Sequence, residues 1–308
     1  MPINEYGMNN DYVEYFPLEE YVNRIELLPN TLEHLEYTSK SFNEYINKLS
    51  SYNEDYIVDY WIYLLYHELK FNQQIEHINK ESSLVSNNVF FDSLAISNKR
   101  IHELHNFIVK GEYEPSFEYR SSDVRVSRFR SDGSEDIFWR GVNYQDVDKF
   151  MSDFIKIYKH RDISALMNNP FLKSSLMHLL FIRIHPYRDG NGRTARLIQN
   201  LKFTEGINRI YGTRLKLSPL NLSGSILVNK ITYVNTINNI YFDIKHDTNL
   251  QINKWFDFML NMYDEQIYFS TNEVDRIDDK FLKDMQQISE MSASDEENTK
   301  KMRIKSII

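Results

Sequence analysis

An apolar helical pattern that stops at a histidine–proline pair constrains this chain most. Leu176, Leu179, Leu180 and Ile184 repeat at helical spacing and run straight into His185-Pro186. Proline disfavours the α conformation at the residue before it, so the helix ends near His185. Asp189-Gly190-Asn191-Gly192 follows as a turn, and a second helix is expected from about Gly192 or Arg193. The fold must therefore accommodate two helices joined by a short, glycine-bearing loop. Only 9 glycines and 7 prolines occur in 308 residues, a scarcity of breakers that favours long helices over many short strands.

The rest of the chain reads in the same way. Residues 1–55 are polar and tyrosine-rich and are expected to form short helices. Ile57, Trp61, Leu64, Leu65, Leu69, Ile75 and Ile78 follow helical spacing, and Glu81-Ser82-Ser83 looks like a break. Ser97 precedes a helix with Ile101, Leu104, His105 and Ile108 on one face, and Gly111 is its expected stop. One segment departs from this pattern. Val124, Val126 and Phe129, the turn Ser131-Asp132-Gly133-Ser134, and Ile137-Phe138-Trp139 form a β-hairpin candidate. Further helices fit residues 144–160, 170–184, 218–242 and 251–267. Trp61 and Trp255 are expected core anchors, and His105 is expected to pack or cap. The last forty residues are charged, with a short amphipathic patch at Phe281, Leu282 and Met285 and a basic stretch at residues 300–305 that reads as solvated. Three regions are expected: an N-terminal helical region (1–85), a core (86–265) and a helical or flexible tail (266–308).

Composition narrows the function classes. The net charge of -8 gives no global attraction to nucleic acid or anionic membrane, so an anionic ligand would need a local basic pocket. Cysteine is absent, which removes disulfides, thiol catalysis and thiolate metal sites. Residues 1–10 lack the basic and apolar regions of a signal peptide, and no apolar run reaches membrane-spanning length. A cytoplasmic location with no membrane partner is the expectation, and nucleic acid is not an expected partner.

The loop itself carries the chemistry. Glycines allow positive φ and close backbone approach. Amides at a helix N-terminus, together with the helix dipole, favour a phosphate there. Arg193 and Arg196 are three residues apart and share a helical face, and guanidinium suits phosphate oxygens. Asp189 is a hard oxygen ligand suited to Mg²⁺ bridging nucleotide phosphates. His185, across the loop, is suited to taking a proton from a hydroxyl.

The run His185-Pro186-Tyr187-Arg188-Asp189-Gly190-Asn191-Gly192-Arg193-Thr194-Ala195-Arg196 closely resembles the Fic family signature His-Pro-Phe-x-(Asp/Glu)-Gly-Asn-Gly-Arg-x-x-Arg. Its one departure is Tyr187 for phenylalanine. Ile101 to His105, Tyr119-Arg120, Phe138 to Met151, and Leu222 to Leu260 with Lys230, Tyr233 and Trp255 also look like family segments, so the resemblance covers about residues 60–265. It implies a mostly α-helical Fic-type bundle with a β-hairpin flap. It also implies protein adenylylation: transfer of AMP from ATP, with Mg²⁺, to a Ser, Thr or Tyr hydroxyl of a protein target. In that scheme His185 is the catalytic base and Asp189 holds the metal. Gly190, Asn191 and Gly192 form the anion hole, Arg193 contacts the β-phosphate region and Arg196 the γ-phosphate. The hairpin docks the target as an added strand. The family's kinase-like branch carries lysine in place of the second loop glycine, so Gly192 favours AMP transfer. The alternatives are another nucleotidyl or phosphoryl transfer in the same site, or a non-enzymatic regulatory protein. The target is unspecified; such proteins also modify themselves and form homo-oligomers.

The family is similar in one further respect. Many members carry an inhibitory helix with (Ser/Thr)-x-x-x-Glu-(Gly/Asn), whose glutamate pairs with the second motif arginine. Asn72-Gln73-Gln74-Ile75-Glu76-His77 sits where an N-terminal version belongs. Glu76 matches, while Asn72 and His77 depart. The expectation is an inhibitory Glu76–Arg196 pair, with Ser292 and Glu296 as a weaker, C-terminal rival.

Overall fold

The computed structural model describes residues 12–52, 54–78, 93–109, 115–129, 132, 135–160, 168–215 and 218–274. The order of elements is α1 (Leu18–Asn23), α2 (Pro29–Leu49), α3 (Glu54–Ile75), α4 (Asn98–Ile108), β1 (Arg125–Phe129), β2 (Glu135–Arg140), α5 (Val147–Lys159), α6 (Pro170–Ile184), α7 (Asn191–Tyr211), α8 (Leu222–Val228), α9 (Lys230–Asn238) and α10 (Asn249–Glu273). The architecture is mostly α-helical with one two-stranded hairpin.

α6 is the axis of the bundle. Every one of its residues is buried, so it must be covered on all sides. Full burial of leucines such as Leu176, Leu179 and Leu180 stabilises by about 1.5–3 kcal/mol each. α7 packs antiparallel beside it, α5 and α10 cover other faces, and Trp255 of α10 is fully buried with its indole N–H donated to the Ser175 carbonyl at 3.0 Å. Trp61, by contrast, is only partly buried.

A buried carboxylate anchors α3. Glu68 accepts from Asn200 Nδ2 at 2.8 Å and from the Ser223 amide at 2.8 Å, and also takes the Ser223 hydroxyl. These bonds tie α3 to α7 and to the first turn of α8. Burial pushes the Glu68 carboxyl up, against the pull of its Ser223 and Asn200 donors. Because α3 is pinned here, its last turn reaches the loop between α6 and α7.

Four expectations change. Among the described residues of 1–55, one long helix follows a short one: α2 runs 21 residues, with proline in its first turn. It buries Thr31, Leu35, Thr38, Phe42, Tyr45 and Leu49, a stripe that tyrosine and threonine hide from a purely apolar count. The expected helix 218–242 breaks at Asn229 into α8 and α9. α7 begins at Asn191, one residue before the expected start, because Gly190 serves as its left-handed cap. α10 extends further in both directions than residues 251–267.

The hairpin lies where it was expected, β1 antiparallel to β2, with a register irregularity between Val126 and Ser127. The break at Glu81-Ser82-Ser83, the stop at Gly111, most of the hairpin turn, and the whole of Phe281 to Met285, Ser292, Glu296 and residues 300–305 lie outside the described residues. Among the described residues, no helix is long and apolar enough to cross a membrane.

Candidate active site

The α6–loop–α7 segment builds the site. His185 caps α6 in the left-handed conformation (φ 53°), and its amide donates to the Phe181 carbonyl at 3.0 Å. Arg120 holds this turn by its backbone. Its Nε donates to the His185 carbonyl at 2.7 Å and its amide to the Pro186 carbonyl at 2.9 Å. The His185 Nδ1 lies 3.2 Å from the Ile182 carbonyl. A carbonyl only accepts, so Nδ1 carries the proton and Nε2 keeps the lone pair. Desolvation pulls the His185 pKa down to about 4, opposed by the Ile182 carbonyl and assisted by Arg120. The imidazole is neutral at pH 7, with Nε2 available as a base.

Asn191 closes the loop on itself. Its Oδ1 accepts from the Tyr187 amide at 2.9 Å and its Nδ2 donates to the Tyr187 carbonyl at 2.8 Å. Gly190 has φ 75°, and a Cβ there would stand 2.5 Å from Val109 Cγ1 and 3.0 Å from His105. Only glycine satisfies both the backbone and the space. α4 backs this turn: His105 stacks on Tyr187 with ring centres 3.6 Å apart, and its Nδ1 lies 3.3 Å from Thr194 Oγ1. The Tyr187 hydroxyl, absent from a phenylalanine, meets His102 Nδ1 at 2.8 Å.

Asp189 stands at the mouth with a 57% exposed side chain, 4.0 Å from Arg193 Nη2. Its Oδ1 accepts the Gly190 amide at 2.6 Å, so that amide is turned onto the carboxylate rather than offered to an anion. The first-turn amides of α7, which have no intrahelical acceptor, remain as donors of the kind that suit an anion.

Both motif arginines are buried. Arg193 Nη1 donates to Gln73 Oε1 at 3.1 Å. Arg196 is held on several sides: Nε to Asn72 Oδ1 at 2.6 Å, Nη2 to the Asn72 carbonyl at 3.2 Å, Nη2 to Glu76 Oε1 at 2.8 Å, and Nη1 to the Tyr233 hydroxyl at 3.4 Å. The structure thus brings Glu76 from the end of α3 against Arg196. Burial by itself would raise the Glu76 carboxyl, but Arg196, Arg193 and Lys230 outweigh it and hold the group below its ordinary value. Arg196 moves up: burial opposes this, and Tyr233 and Glu76 prevail.

The two departures from the inhibitory pattern have structural roles. Asn72 clamps Arg196 and also donates its Nδ2 to the Arg193 carbonyl at 3.1 Å. His77 follows the helix in the left-handed conformation (φ 59°). The Ile78 amide returns to the Gln73 carbonyl at 3.1 Å and the His77 amide to the Gln74 carbonyl at 2.9 Å, a Schellman ending that places Glu76 at the cap. Glycine or asparagine suits that position because it requires positive φ. His77 tolerates it with its Nε2 2.9 Å from Lys230 Nζ, which also donates to the Ile75 carbonyl.

His185, Asp189, Gly190, Asn191, Gly192 and Glu76 line one cleft of about 200 Å³. Trp139, Ile182, Tyr233, Val234, Ile237 and Asn238 form its other walls, with the Trp139 indole N–H donated to Asn238 Oδ1 at 3.0 Å. In the sequence Trp139 reads only as part of the hairpin, Tyr233 only as part of a family-like helix and Asn72 only as a departure from the inhibitory pattern. Asn72 was detectable as the residue one turn before Glu76 on the same helical face. The walls come from distant elements and had no local signal.

The structure is a helical bundle with one β-hairpin among the described residues, in which His185 and the N-terminus of α7 share a cleft. Residues 95–202 match the model of the Fic/DOC family. Its fold is similar to that of a Fic family protein from Desulfovibrio desulfuricans G20, at 14% identity over 86% of this chain and 79% of that one, with a TM-score of 0.58. It is also similar to a Fic domain containing signaling protein from Bacteroides thetaiotaomicron VPI-5482, at 16% identity over 77% of this chain and 97% of that one, with a TM-score of 0.53.

Proposed function

We propose that this protein is an adenylyltransferase that moves AMP from ATP to a Ser, Thr or Tyr hydroxyl of a protein target, and that Glu76 restrains it. The observation that carries the reading is that His185, with its Nε2 lone pair unprotonated, and the amides at the start of α7 share one cleft. In the proposed step Nε2 takes the hydroxyl proton as the oxygen attacks the α-phosphorus. The bond from that phosphorus to the bridging oxygen breaks and pyrophosphate leaves. The α7 amides and arginines stabilise the charge that develops on the phosphate oxygens. Asp189 fits a magnesium ion: one exposed carboxylate beside substrate phosphates is how that ion is commonly held. When bound, it would supply charge neutralisation. Tyr233, Val234 and Ile237 offer an apolar wall for the base, and the outer edge of the hairpin offers a strand edge to the target.

Restraint follows from like charge. Glu76 Oε1 lies 2.7 Å from where a Cβ on Gly192 would stand, so its carboxylate sits on the loop that would receive phosphates. It also occupies Arg196, the cation that the γ-phosphate would need. Incubation of wild type, Glu76→Gly and His185→Ala with ATP labelled at the α- or γ-phosphate tests the reading. Label from α-ATP alone, raised at least tenfold by Glu76→Gly and lost with His185→Ala, is expected. Label from γ-ATP would make the protein a kinase, and unchanged labelling in Glu76→Gly would remove the restraint while leaving the enzyme.

A further inference from the structure

A second cavity, of about 250 Å³, lies on the far side of Trp139 from the catalytic cleft. Its walls come from the extended segment 12–16, β2, the last turn of α6 and the loop 240–246. Arg183 lines it and is 5% exposed. The guanidinium carbon lies 4.6 Å from the Trp139 ring centre and 6.0 Å from that of Phe242. Its Nε and Nη1 are buried without an acceptor among the described residues. A buried cation lacking a paired anion is costly. Burial accordingly pulls Arg183 down to about 10, with Tyr21 and Asp243 acting the other way.

The charges around the cavity specify what is missing. Arg140 is engaged by Tyr12, through the hydroxyl at 3.2 Å and the ring at 4.9 Å. Asp243 accepts from the Lys245 and His246 amides and from the His246 ring. Among the lining groups Arg140 and Lys245 offset Glu14 and Asp243, which leaves the single charge of Arg183. One monoanion balances that charge, whereas a phosphate dianion overshoots it. The rings of Phe16, Trp139 and Phe242 are buried and apolar, which suits a flat body. A cavity of about 150 Å³ is enough to hold benzene.

We propose that this cavity is a binding site for a small aromatic monocarboxylate, whose carboxylate meets Arg183 and whose ring lies against Trp139, Phe16 and Phe242. Trp139 also stands edge-on to His185, with ring centres 5.2 Å apart, so one side chain separates this ligand from the catalytic histidine.

Benzoate is the probe, titrated into the full chain by calorimetry with tryptophan fluorescence in parallel. Saturable one-site binding is expected, weakened at least tenfold by Arg183→Gln and severalfold by Lys245→Glu. Lys245 is exposed at the cavity mouth, so its substitution tests the site even if Arg183→Gln fails to fold. Arg196→Ala is expected to bind benzoate as wild type does, and ATP is expected not to compete. Absence of saturable binding, or affinity unchanged by Lys245→Glu and by a folded Arg183→Gln, would overturn the proposal. Competition by ATP would place benzoate in the catalytic cleft and likewise overturn it. Displacement by inorganic phosphate at equal concentration would overturn the monocarboxylate assignment.

Discussion

At the loop between α6 and α7, most of the backbone geometry is set by residues within a few positions of one another, with Arg120 bonded to the His185 and Pro186 carbonyls from outside the segment. His185 and Gly190 take the left-handed conformation, and Asn191 ties both backbone groups of Tyr187. At the end of α3 the helix ending is local, but everything that gives it a role is distant: Asn72 and Glu76 reach Arg196, 124 and 120 positions away, and Lys230 caps the last turn from α9. The first region is a turn whose backbone geometry is already formed. The second is a contact between elements, and Glu68 is one of the groups that keep α3 against α7 and α8. A preformed turn survives loss of a neighbour. A contact of this kind can be released by a change in one partner.

The largest expected effect tests how rigid the turn is. Gly190→Ala forces a Cβ into Val109 at a positive φ, and strain of about 1–2 kcal/mol plus overpacking of about 1–3 kcal/mol gives a loss of roughly 2–5 kcal/mol. Chemical denaturation measures it, and a loss below about 1 kcal/mol would show that the turn yields.

Next comes Asn72→Ala, which removes two side-chain hydrogen bonds to α7 at a buried position. It should cost about 1–3 kcal/mol in stability and, under the proposed restraint, raise labelling from α-ATP. A stability loss with no gain in activity would separate the clamp from the restraint.

The third concerns His185. A base must be neutral to act, so activity falls as pH drops through its pKa. With the free-enzyme value near 4, kcat/KM in Glu76→Gly should remain nearly flat from pH 7 to 5.5. A base at the ordinary value of about 6.5 would lose roughly tenfold over that range. Polyphosphate beside the imidazole favours its charged form, so the acid limb of kcat should lie at higher pH than that of kcat/KM.

The smallest effect is at His77. His77→Gly relieves positive φ at the Schellman position and should stabilise by about 1 kcal/mol at most, read as a rise of a few degrees in Tm. It also removes the ring beside Lys230. Destabilisation instead would mean that the Lys230 contact outweighs the strain.

Much of the site was legible because its signals are local. Proline after His185 marks a helix end, glycines mark a turn, and arginines three apart share a face. None of these requires knowledge of the rest of the chain. The long α2 was missed because its buried stripe contains threonine and tyrosine, whose burial depends on what packs against them. The break at Asn229 was missed because no glycine or proline marks it. The depressed pKa of His185 and the turning of the Gly190 amide onto Asp189 were not legible either, since both depend on burial and on where one side chain points.

The sequence by itself determined the α6–loop–α7 segment, its glycine requirement and the residue types that face an anion, because backbone preferences act over a few residues. The tertiary structure decided which residues face that segment. It brought Glu76, Asn72 and Tyr233 to Arg196, made Trp139 a wall of both the His185 cleft and the Arg183 cavity, and left there a buried guanidinium with donors unmet among the described residues. Those outcomes follow from how helices far apart in sequence bury their faces against one another, which no local pattern encodes.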